Sequence, residues 1–499
     1  MIQVRFDDTF LPHSGPTQAG LIETASNGGR TGEGRSGVVL PQEEPPAPSI
    51  RSIREAEREL AVLGEVDVLV CGGGPAGTGA AIAAARTGAS TLLIEQYGYL
   101  GGMSTAGLVT PHFDCFLNKG LNQELIERMQ SRRAWGAPFW RISFDPEQFK
   151  MVSEEMVLDS GSDLLYHAFA VAALIEGERM CGVVIETKSG RFAVLAKVVI
   201  DCTGDGDIAA RAGAPYEKGR PEDGLLQPMT MMFRLGGVEW VQTDGTQMFQ
   251  LVQQAIAETG HHFRLAFERP WAIHLPNPGE VAVQLTHVRG VDATDARDLT
   301  RAEIEGRRQT QAVVEFLTRH VSEFRNAYLI ETAAQIGVRE TRRILGDYVL
   351  TLEDLIAAKK FDDGIATASF GVDIHDPVGK SQIGGPLTGV YDIPYRCLLP
   401  RTVEQLLVAG RCISGTHAAH ASYRVKGPCL AMGQAAGTAA ALSVQHGVSP
   451  RKLDVAALRR ELQRQGVELG ATERPLPDWS TDQSYKPDNP QAWEVPVDK

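Results

Sequence analysis

The hydrophobic and polar positions fall into segments with different periods. Residues 66–70 form a short apolar run rich in β-branched side chains, and residues 91–94 form a second one. Between them, residues 80–87 are rich in alanine, a strong helix former, and Gly88 is placed to end that helix. This order predicts a strand–helix–strand unit, the building block of a parallel α/β sheet.

Later segments continue the pattern with a change of topology. In the β-rich block of residues 164–200, the strand-like runs 181–187 and 192–200 flank a turn at 188–191, which predicts a hairpin within a small β-meander. Residues 406–409 read as another buried strand, and residues 429–445 as a helix of small side chains. Residues 216–370 are richer in helix-period segments such as 301–320, which is typical of an inserted cap.

The two ends of the chain differ from this middle part. Residues 1–60 are rich in Gly, Ser, Thr and Pro and predict a flexible arm, with a short helix over 55–63. Residues 449–499 predict a tail with one amphipathic helix over 455–465.

Composition and charge exclude several classes of protein. A net charge of −13 over 499 residues argues against broad binding to nucleic acid or anionic membranes. No apolar run reaches the roughly 20 residues of a membrane span, and the N-terminus lacks a signal-peptide core, so we expect a cytoplasmic protein. The seven cysteines include no Cys-x-x-Cys pair, and we expect no metal site; His261 and His262 are expected at the surface.

A glycine cluster gives the first indication of a ligand. Residues 72–77 satisfy the G-x-G-x-x-G pattern between the first strand and the helix, and Glu95 ends the next strand. Gly72 permits the tight turn, Gly74 lets the backbone approach a pyrophosphate, and Gly77 permits close packing of helix and strand. Unpaired N–H groups at the helix N-terminus favour phosphate, and Glu95 can bind ribose hydroxyls. The expected contacts are Gly72, Gly74, Pro75, Ala76, Gly77, Glu95 and Gln96.

NAD and FAD both use this unit, and three further features favour FAD. The glycine-rich loop at 101–107 resembles the stretch that runs past the pyrophosphate in FAD proteins of the glutathione-reductase type. The strand 198–201, which enters a Thr-Gly turn after the meander, resembles the second nucleotide-contact strand of that fold. The run 407–415 precedes a small-residue helix whose N-terminus can face the flavin, where reduction builds negative charge. The expected further contacts are Gly101, Gly102, Met103, Ser104, Thr105, Val171, Thr203, Gly204, Gly410, Arg411, Gly427, Pro428 and Cys429.

These motifs together resemble a bacterial family of FAD-dependent oxidoreductases that is related to the fumarate reductase and succinate dehydrogenase flavoproteins. The resemblance spans residues 65 to about 447 and rests on GGGPAG, LGGMSTAGL, DCTGDGDIAARAGA, RETRRILGDYVLT, IPYRCLLP and the long run 406–442. It implies an α/β fold: a Rossmann-type FAD-binding domain with a β-meander, discontinuous in sequence, plus an inserted α+β cap. We expect the FAD-binding domain over 61–215 and 371–448 and the cap over 216–370.

The segment beside the last motif carries candidate chemistry. If it is helical, His417, His420 and Arg424 share one face, with Tyr423 beside them. A histidine can take a proton near neutral pH, with His420 preferred, and an arginine can bind a carboxylate. Structural hydrogen bonding is the alternative for this cluster.

Weaker candidates lie elsewhere in the chain. Arg339, Arg342 and Arg343 form a basic group, one of which can face the site; we select Arg342, against a salt-bridge network as the alternative. His112 follows the glycine-rich loop and is a candidate for covalent flavin attachment. His375, with Asp376 beside it, is a candidate at the cap interface.

Three functions follow from these features. The leading one is a dehydrogenase or oxidase that transfers a hydride from a small polar organic substrate to flavin N5. The second is a reductase of an activated C=C bond in a carboxylate substrate, and the third is a flavoprotein without redox chemistry. The sequence leaves open the electron acceptor and whether the chain forms a homo-oligomer.

Overall fold

The computed structural model describes residues 3–5, 53, 55–137, 140–239, 245–259, 266, 271–379 and 381–473. Its strands are β1 (Gln3–Arg5), β2 (Ala61–Cys71), β3 (Thr91–Ile94), β4 (Trp135–Ala137), β5 (Trp140–Phe144), β6 (Asp163–Leu165), β7 (Ala168–Glu176), β8 (Arg179–Thr187), β9 (Gly190–Asp201), β10 (Tyr216–Lys218), β11 (Phe233–Gly236), β12 (Trp271–His274), β13 (Val281–Gln284), β14 (Tyr328–Thr332), β15 (Arg342–Ile344), β16 (Gly364–Ala368), β17 (Ile374–His375), β18 (Gln382–Ile383), β19 (Tyr391–Pro394) and β20 (Leu406–Val408). Its α-helices are α1 (Pro75–Arg86), α2 (Leu121–Ser131), α3 (Pro146–Asp159), α4 (Asp207–Arg211), α5 (Gly245–Thr259), α6 (Ala296–His320), α7 (Leu352–Ile356), α8 (His417–Tyr423), α9 (Lys426–His446) and α10 (Val455–Arg464).

The main sheet has a parallel part built around β2. Strands β6, β3, β2 and β9 lie side by side and parallel, and β20 pairs with the last residues of β9. Val68, Leu69 and Val70 are fully buried, so both faces of β2 are covered, as expected for a parallel sheet. This confirms the α/β fold class predicted from the sequence.

The β-meander is attached to the same sheet. Strands β7, β8 and β9 follow one another in antiparallel pairs, with the turn between β8 and β9 at residues 188–189. The first half of β9 pairs with β8, and its last residues, 199–201, pair with β20. The predicted hairpin is therefore confirmed, and β1 extends the sheet by pairing with β7.

A second, antiparallel sheet lies in the part of the chain that we propose as the cap. Its strand order is β12, β13, β11, β14. A separate hydrophobic cluster fills the space between this sheet and the helices α5 and α6; it includes Phe233, Val252, Val283 and Phe316. The predicted helix over 301–320 is confirmed as part of α6, which begins earlier because Asp295 caps its N-terminus.

Of the two helices predicted near the ends of the chain, one is wrong and one is confirmed. The helix predicted over 55–63 is wrong: residues 55–60 are irregular and Ala61 begins β2, because Ala61 and Val62 pair with Phe192 and Ala193 at the start of β9. The tail helix is confirmed as α10. Most of the arm over 1–60, the tail beyond 473, and His261 and His262 lie outside the described residues.

None of the described helices combines the length and the apolar character that a membrane span requires.

Candidate functional site

The strands of the parallel sheet end at one edge, and the loops that follow them line a cavity of about 400 Å³. The register places Cys71 beside both Ile94 and Asp201, with Val408 beside Asp201. The residues that follow these four positions therefore meet at the carboxyl edge of the sheet. Ligands bind at this edge in open α/β sheets.

The glycine loop after β2 forms one wall of the cavity. Gly72 has a φ of +99°, and a Cβ there would lie 2.6 Å from the Cys202 carbonyl oxygen, so only glycine fits this turn. A Cβ at Gly74 would meet nothing closer than 3.9 Å, which leaves the backbone open toward the cavity. Gly74 is the N-cap of α1 and no side chain caps the helix, so its first N–H groups can bind phosphate.

Glu95 lies in the same wall, at the end of β3. Its carboxylate accepts hydrogen bonds from the N–H groups of Gly73 (2.6 Å) and Tyr97 (2.9 Å). Burial raises the pKa of Glu95 despite these bonds. A carboxylate has about four acceptor positions, so Glu95 can accept a further donor, such as a ribose hydroxyl.

The loops after β9 and β20 contribute the third wall. Arg411 forms a salt bridge of 2.9 Å with Asp205, and both residues line the cavity. The Arg411 Nη1 atom is buried with no hydrogen-bond partner among the described residues. A buried guanidinium nitrogen without a partner is costly, and the phosphate or carbonyl oxygen of a bound cofactor would satisfy it.

Most of the predicted cofactor residues meet at this cavity. Those that line it are Gly72, Gly74, Pro75, Ala76, Glu95, Gln96, Gly102, Met103, Thr203, Gly204, Gly410, Arg411 and Cys429. The others lie behind the lining: Gly77 packs on the Gly72 carbonyl, Thr105 bonds to the Leu100 carbonyl, and Gly427 packs against residues 113 and 114. Gly101, Ser104, Val171 and Pro428 are also absent from the lining.

The remaining wall comes from residues 230–339 and 370–375. Arg339 lines it, and its Nη1 donates to the Pro228 carbonyl (2.6 Å) and to Thr230 Oγ1 (2.8 Å). Within the described ranges no carboxylate forms a salt bridge with Arg339. Burial, then the charge of Arg424, lowers its pKa to about 9, which leaves the guanidinium charged at neutral pH. An anion bound in the cavity would form the salt bridge that Arg339 lacks within the described ranges.

A chain of polar side chains continues from Arg339 along the wall. Arg424 donates to Asp373 Oδ2 (3.0 Å), and His375 Nε2 lies 3.3 Å from Asp373 Oδ1. The other ring nitrogen of His375, Nδ1, lies 3.0 Å from His287 Nε2. Burial, then the charge of Arg339, lowers the pKa of His375 to about 4, so its ring is neutral at pH 7. Asp373 then accepts from His375 Nε2–H, and His375 Nδ1 accepts from His287.

The structure separates the predicted catalytic residues. Of the five, all within the described part of the chain, Arg424 lines the cavity. His417 bonds to Glu340 (2.8 Å), and Tyr423 donates to the Ile413 carbonyl (3.0 Å). His420 is fully buried, and Arg342 pairs with Asp207 (2.8 Å). His417, His420, Tyr423 and Arg342 are not among the lining residues.

Two cavity residues, Asp373 and Lys426, were not predicted from the sequence, and Arg342 was preferred to Arg339. Arg342 lies in β15, which pairs with β10, and this places its side chain against Tyr216 and Asp207. Arg339 precedes that strand and turns toward Thr230. His112 bonds to Asn122 (2.9 Å) and does not line the cavity, which gives flavin attachment no support. The position of Lys426 directly before the Gly-Pro motif was the one signal available for it.

Comparison with known proteins decides the family. The model of the family "FAD dependent oxidoreductase" matches residues 67–462. The chain belongs to this family. FAD is therefore the cofactor, and the uncapped N-terminus of α1, the open approach at Gly74 and the unsatisfied Arg411 nitrogen fit it.

Two individual relatives carry the names of different enzymes. Digeranylgeranylglycerophospholipid reductase of Methanocella arvoryzae is 30% identical over 160 residues, 28% of this chain and 39% of that protein. Thiamine thiazole synthase of Methanococcus vannielii is 29% identical over 157 residues, 28% of this chain and 56% of that protein. The chain thus matches less than two thirds of the length of these relatives.

Solved structures are similar at low identity. A geranylgeranyl bacteriochlorophyll reductase-like protein from Thermoplasma acidophilum matches with 14% identity and a TM-score of 0.40, over 80% of this chain and 83% of that one. A p-nitrophenol 4-monooxygenase from Pseudomonas putida matches with 9% identity and a TM-score of 0.42, over 81% and 87%.

Proposed function

We propose that the protein oxidises a small organic acid by transfer of a hydride from a substrate carbon to N5 of FAD. The observation that carries this proposal is Arg339, a charged guanidinium on the cavity wall without a salt-bridge partner in the described residues. Guanidinium binds carboxylate through two parallel hydrogen bonds, which fixes both the position and the orientation of a substrate.

Bound FAD supplies the hydride acceptor, and the side chains of this chain bind and orient the substrate. Arg339 holds the carboxylate, while Asp373 fixes Arg424 beside it and His375 fixes Asp373. Apolar side chains from the same part of the chain line the rest of this wall and exclude water from the reacting carbon: Met232, Leu299, Val338 and Phe370.

A screen of organic acids tests this function. Holoenzyme is mixed under argon with hydroxy acids, amino acids, neutral alcohols and amines. The flavin absorbance is followed at about 450 nm. We expect bleaching by a hydroxy or amino acid. Bleaching by neutral compounds alone would contradict the assigned role of Arg339, and a spectrum that no compound changes would favour a flavoprotein without redox chemistry.

Replacement of Arg339 tests the anchor directly. R339M should raise the Kd of the bleaching acid by about 30-fold or more, since loss of a charged hydrogen-bonded partner costs about 2 kcal/mol or more. R339K should lose less, because it keeps the charge but not the paired donors. R396M is the control, because Arg396 pairs with Asp363 away from the cavity. Equal affinities in R339M and the wild type would contradict the anchor.

The second candidate is reduction of an activated C=C bond in a carboxylate substrate. It is favoured by the second guanidinium, Arg424, on the same wall, because two arginines can hold the two ends of a dicarboxylate. The enzyme is reduced under argon and mixed with enoates. Return of the flavin absorbance with enoates, together with no bleaching by hydroxy or amino acids, would select this reaction over the first.

A further inference from the structure

Lys426 is a buried lysine on the wall of the cofactor cavity. It is the first residue of α9, and its side chain is 8% exposed. The start of this helix is fixed against the segment before it. The Gly427 N–H donates to the Phe113 carbonyl (3.1 Å), and a Cβ at Gly427 would lie 2.6 Å from that same oxygen.

The surroundings of Lys426 stabilise its charged form poorly. An ammonium group has three donors, and here Nζ donates to the Val109 carbonyl and lies 5.6 Å from the centre of the Phe144 ring. No carboxylate in the described ranges pairs with it. The N-terminus of α9, which carries the positive end of the helix dipole, disfavours a second positive charge.

Most of the titratable groups around Lys426 carry no negative charge at neutral pH. The thiols of Cys115 and Cys429 face it, and burial raises the pKa of both, so both are protonated. Burial, then Lys426 itself, lowers the pKa of His112 to about 3, so this ring is neutral. The Asp114 carboxylate is bound by the Ser369 and Phe370 N–H groups. Arg424, the residue two positions before Lys426, pairs with Asp373.

We propose that Lys426 is the catalytic base of the oxidation, the group that takes the proton from the O–H or N–H of the substrate. This rests on the proposed function. The substrate C–H bond breaks with its electron pair, which leaves as hydride to FAD, and the O–H or N–H bond breaks with its proton going to Lys426 Nζ. The substrate loses two electrons and two hydrogens, and its carbon becomes C=O or C=N.

Asp373, His375 and Lys426 all line the cavity, and of these three Lys426 has the basicity that the step needs. Burial lowers its pKa to about 7, so a large fraction of molecules carries a free amine lone pair at neutral pH. His375 is bonded at both ring nitrogens, and its pKa is lowered to about 4. Asp373 is engaged by Arg424 and His375, and although burial alone would raise its pKa, these neighbours hold it well below its usual range.

Competitive acetylation of the holoenzyme measures the ionisation of Lys426 without any substrate. Limiting acetic anhydride is applied across pH 5.5–10.5, and mass spectrometry gives the labelled fraction of each lysine. Half-maximal labelling of Lys426 is expected at about pH 7. Lys197, 59% exposed, is the internal reference, because its hydrogen bond to Asp67 raises its pKa. The proposal would be overturned if Lys426 and Lys197 reached half-maximal labelling at the same pH, or if Lys426 were not labelled at any pH.

A second experiment tests the role in proton transfer, with an acid that bleaches the flavin. K426M should lower the bleaching rate by about 10²–10⁴-fold and remove the acid limb of its pH profile, and K197M should change neither.

In K426A, added small amines should restore the rate in proportion to their free-base concentration, a response that a structural role would not give. A full bleaching rate in K426M would refute the base while leaving hydride transfer intact; failure of all acids to bleach the wild type would refute the proposed function instead.

Discussion

The histidines of this protein show why residue type alone does not assign a role. His112, His375 and His420 are each at most 4% exposed, and burial is the main cause that lowers the pKa of each. The sequence marks them as groups that titrate near neutral pH, but water is needed to stabilise the charged ring. Their burial depends on α8, β17 and the loop after β3 packing together, which the sequence pattern does not specify.

Burial of neutral histidine predicts a loss of stability in acid. The folded pKa of His112 is about 3 and lies below that of an unfolded histidine, near 6.5. The unfolded state therefore binds more protons between these values, and stability falls as the pH falls, by about 1.4 kcal/mol per pH unit at most. H112Q should lose about 2 kcal/mol less than the wild type between pH 6.5 and 4.5, measured by denaturant unfolding of the holoenzyme. An unchanged loss in H112Q, or an equal change in the exposed control H446Q, would contradict this assignment.

The arginines illustrate the same limit at the site. The sequence grouped Arg339, Arg342 and Arg343 and left open which of them faces the cavity. Arg343 is fully buried against Glu340, and Arg342 pairs with Asp207. Arg339 donates to a carbonyl and a hydroxyl and can still bind an anion in the cavity. Glu340 is a neighbour of Arg343 in the sequence, but Asp207, Pro228 and Thr230 come from distant parts of the chain. Neither helical nor strand spacing could therefore show which of the three arginines faces the cavity.

Among the elements, α1 and α9 position the cofactor site, and small residues let them pack closely. A Cβ at Gly433 would lie 1.9 Å from the Ala76 carbonyl oxygen, and one at Gly437 would lie 2.1 Å from that of Ala80. The two N-termini thereby both reach the cavity, through Gly74 and Pro75 of one and Val425 and Lys426 of the other. The sequence predicted a helix of small side chains here but not its packing on α1. It also placed the helix start three residues late, because Gly427 and Pro428 are tolerated in a first turn.

Enlarging Gly433 should move these helices apart. G433A should destabilise the protein by about 1–3 kcal/mol through overpacking and reduce its FAD content, because the Cβ meets backbone that cannot rotate away. G64A is the control, since a Cβ at Gly64 meets nothing within 4 Å. FAD content and the unfolding midpoint in urea give the result. Wild-type values in G433A would contradict the packing of α1 on α9 as described.

For the whole molecule, the fold was the most predictable feature. The strand–helix–strand unit, the meander and the late strand each have local signals, and their order restricts the sheet to few topologies. The wall formed by residues 230–339 and 370–375 was not predictable, because it depends on how the proposed cap meets the parallel sheet. That wall holds Arg339 and Asp373, so the sequence identified the cofactor better than the proposed substrate site.

The cavity is assembled from segments far apart in the chain, so bound FAD should stabilise the whole fold. At 100 times its Kd, FAD should add about 2.7 kcal/mol to the free energy of unfolding of the apoprotein. ADP should compete with FAD, because we expect the glycine loop and Glu95 to bind the ADP part of the cofactor, whereas FMN should compete far more weakly. Thermal unfolding with each ligand measures this. Equal protection by FMN and FAD would contradict the placement of the adenosine beside Glu95.

The proposed function depends most on a substrate whose carboxylate is held by Arg339 while the substrate reduces FAD. The direct measurement is the bleaching rate of the holoenzyme under argon with an organic acid and with its neutral amide, in the wild type and in R339M. We predict that the wild type is bleached by the acid much faster than by the amide, and that R339M loses this preference. A wild type that reacts equally with acid and amide, or a preference that persists in R339M, would contradict it.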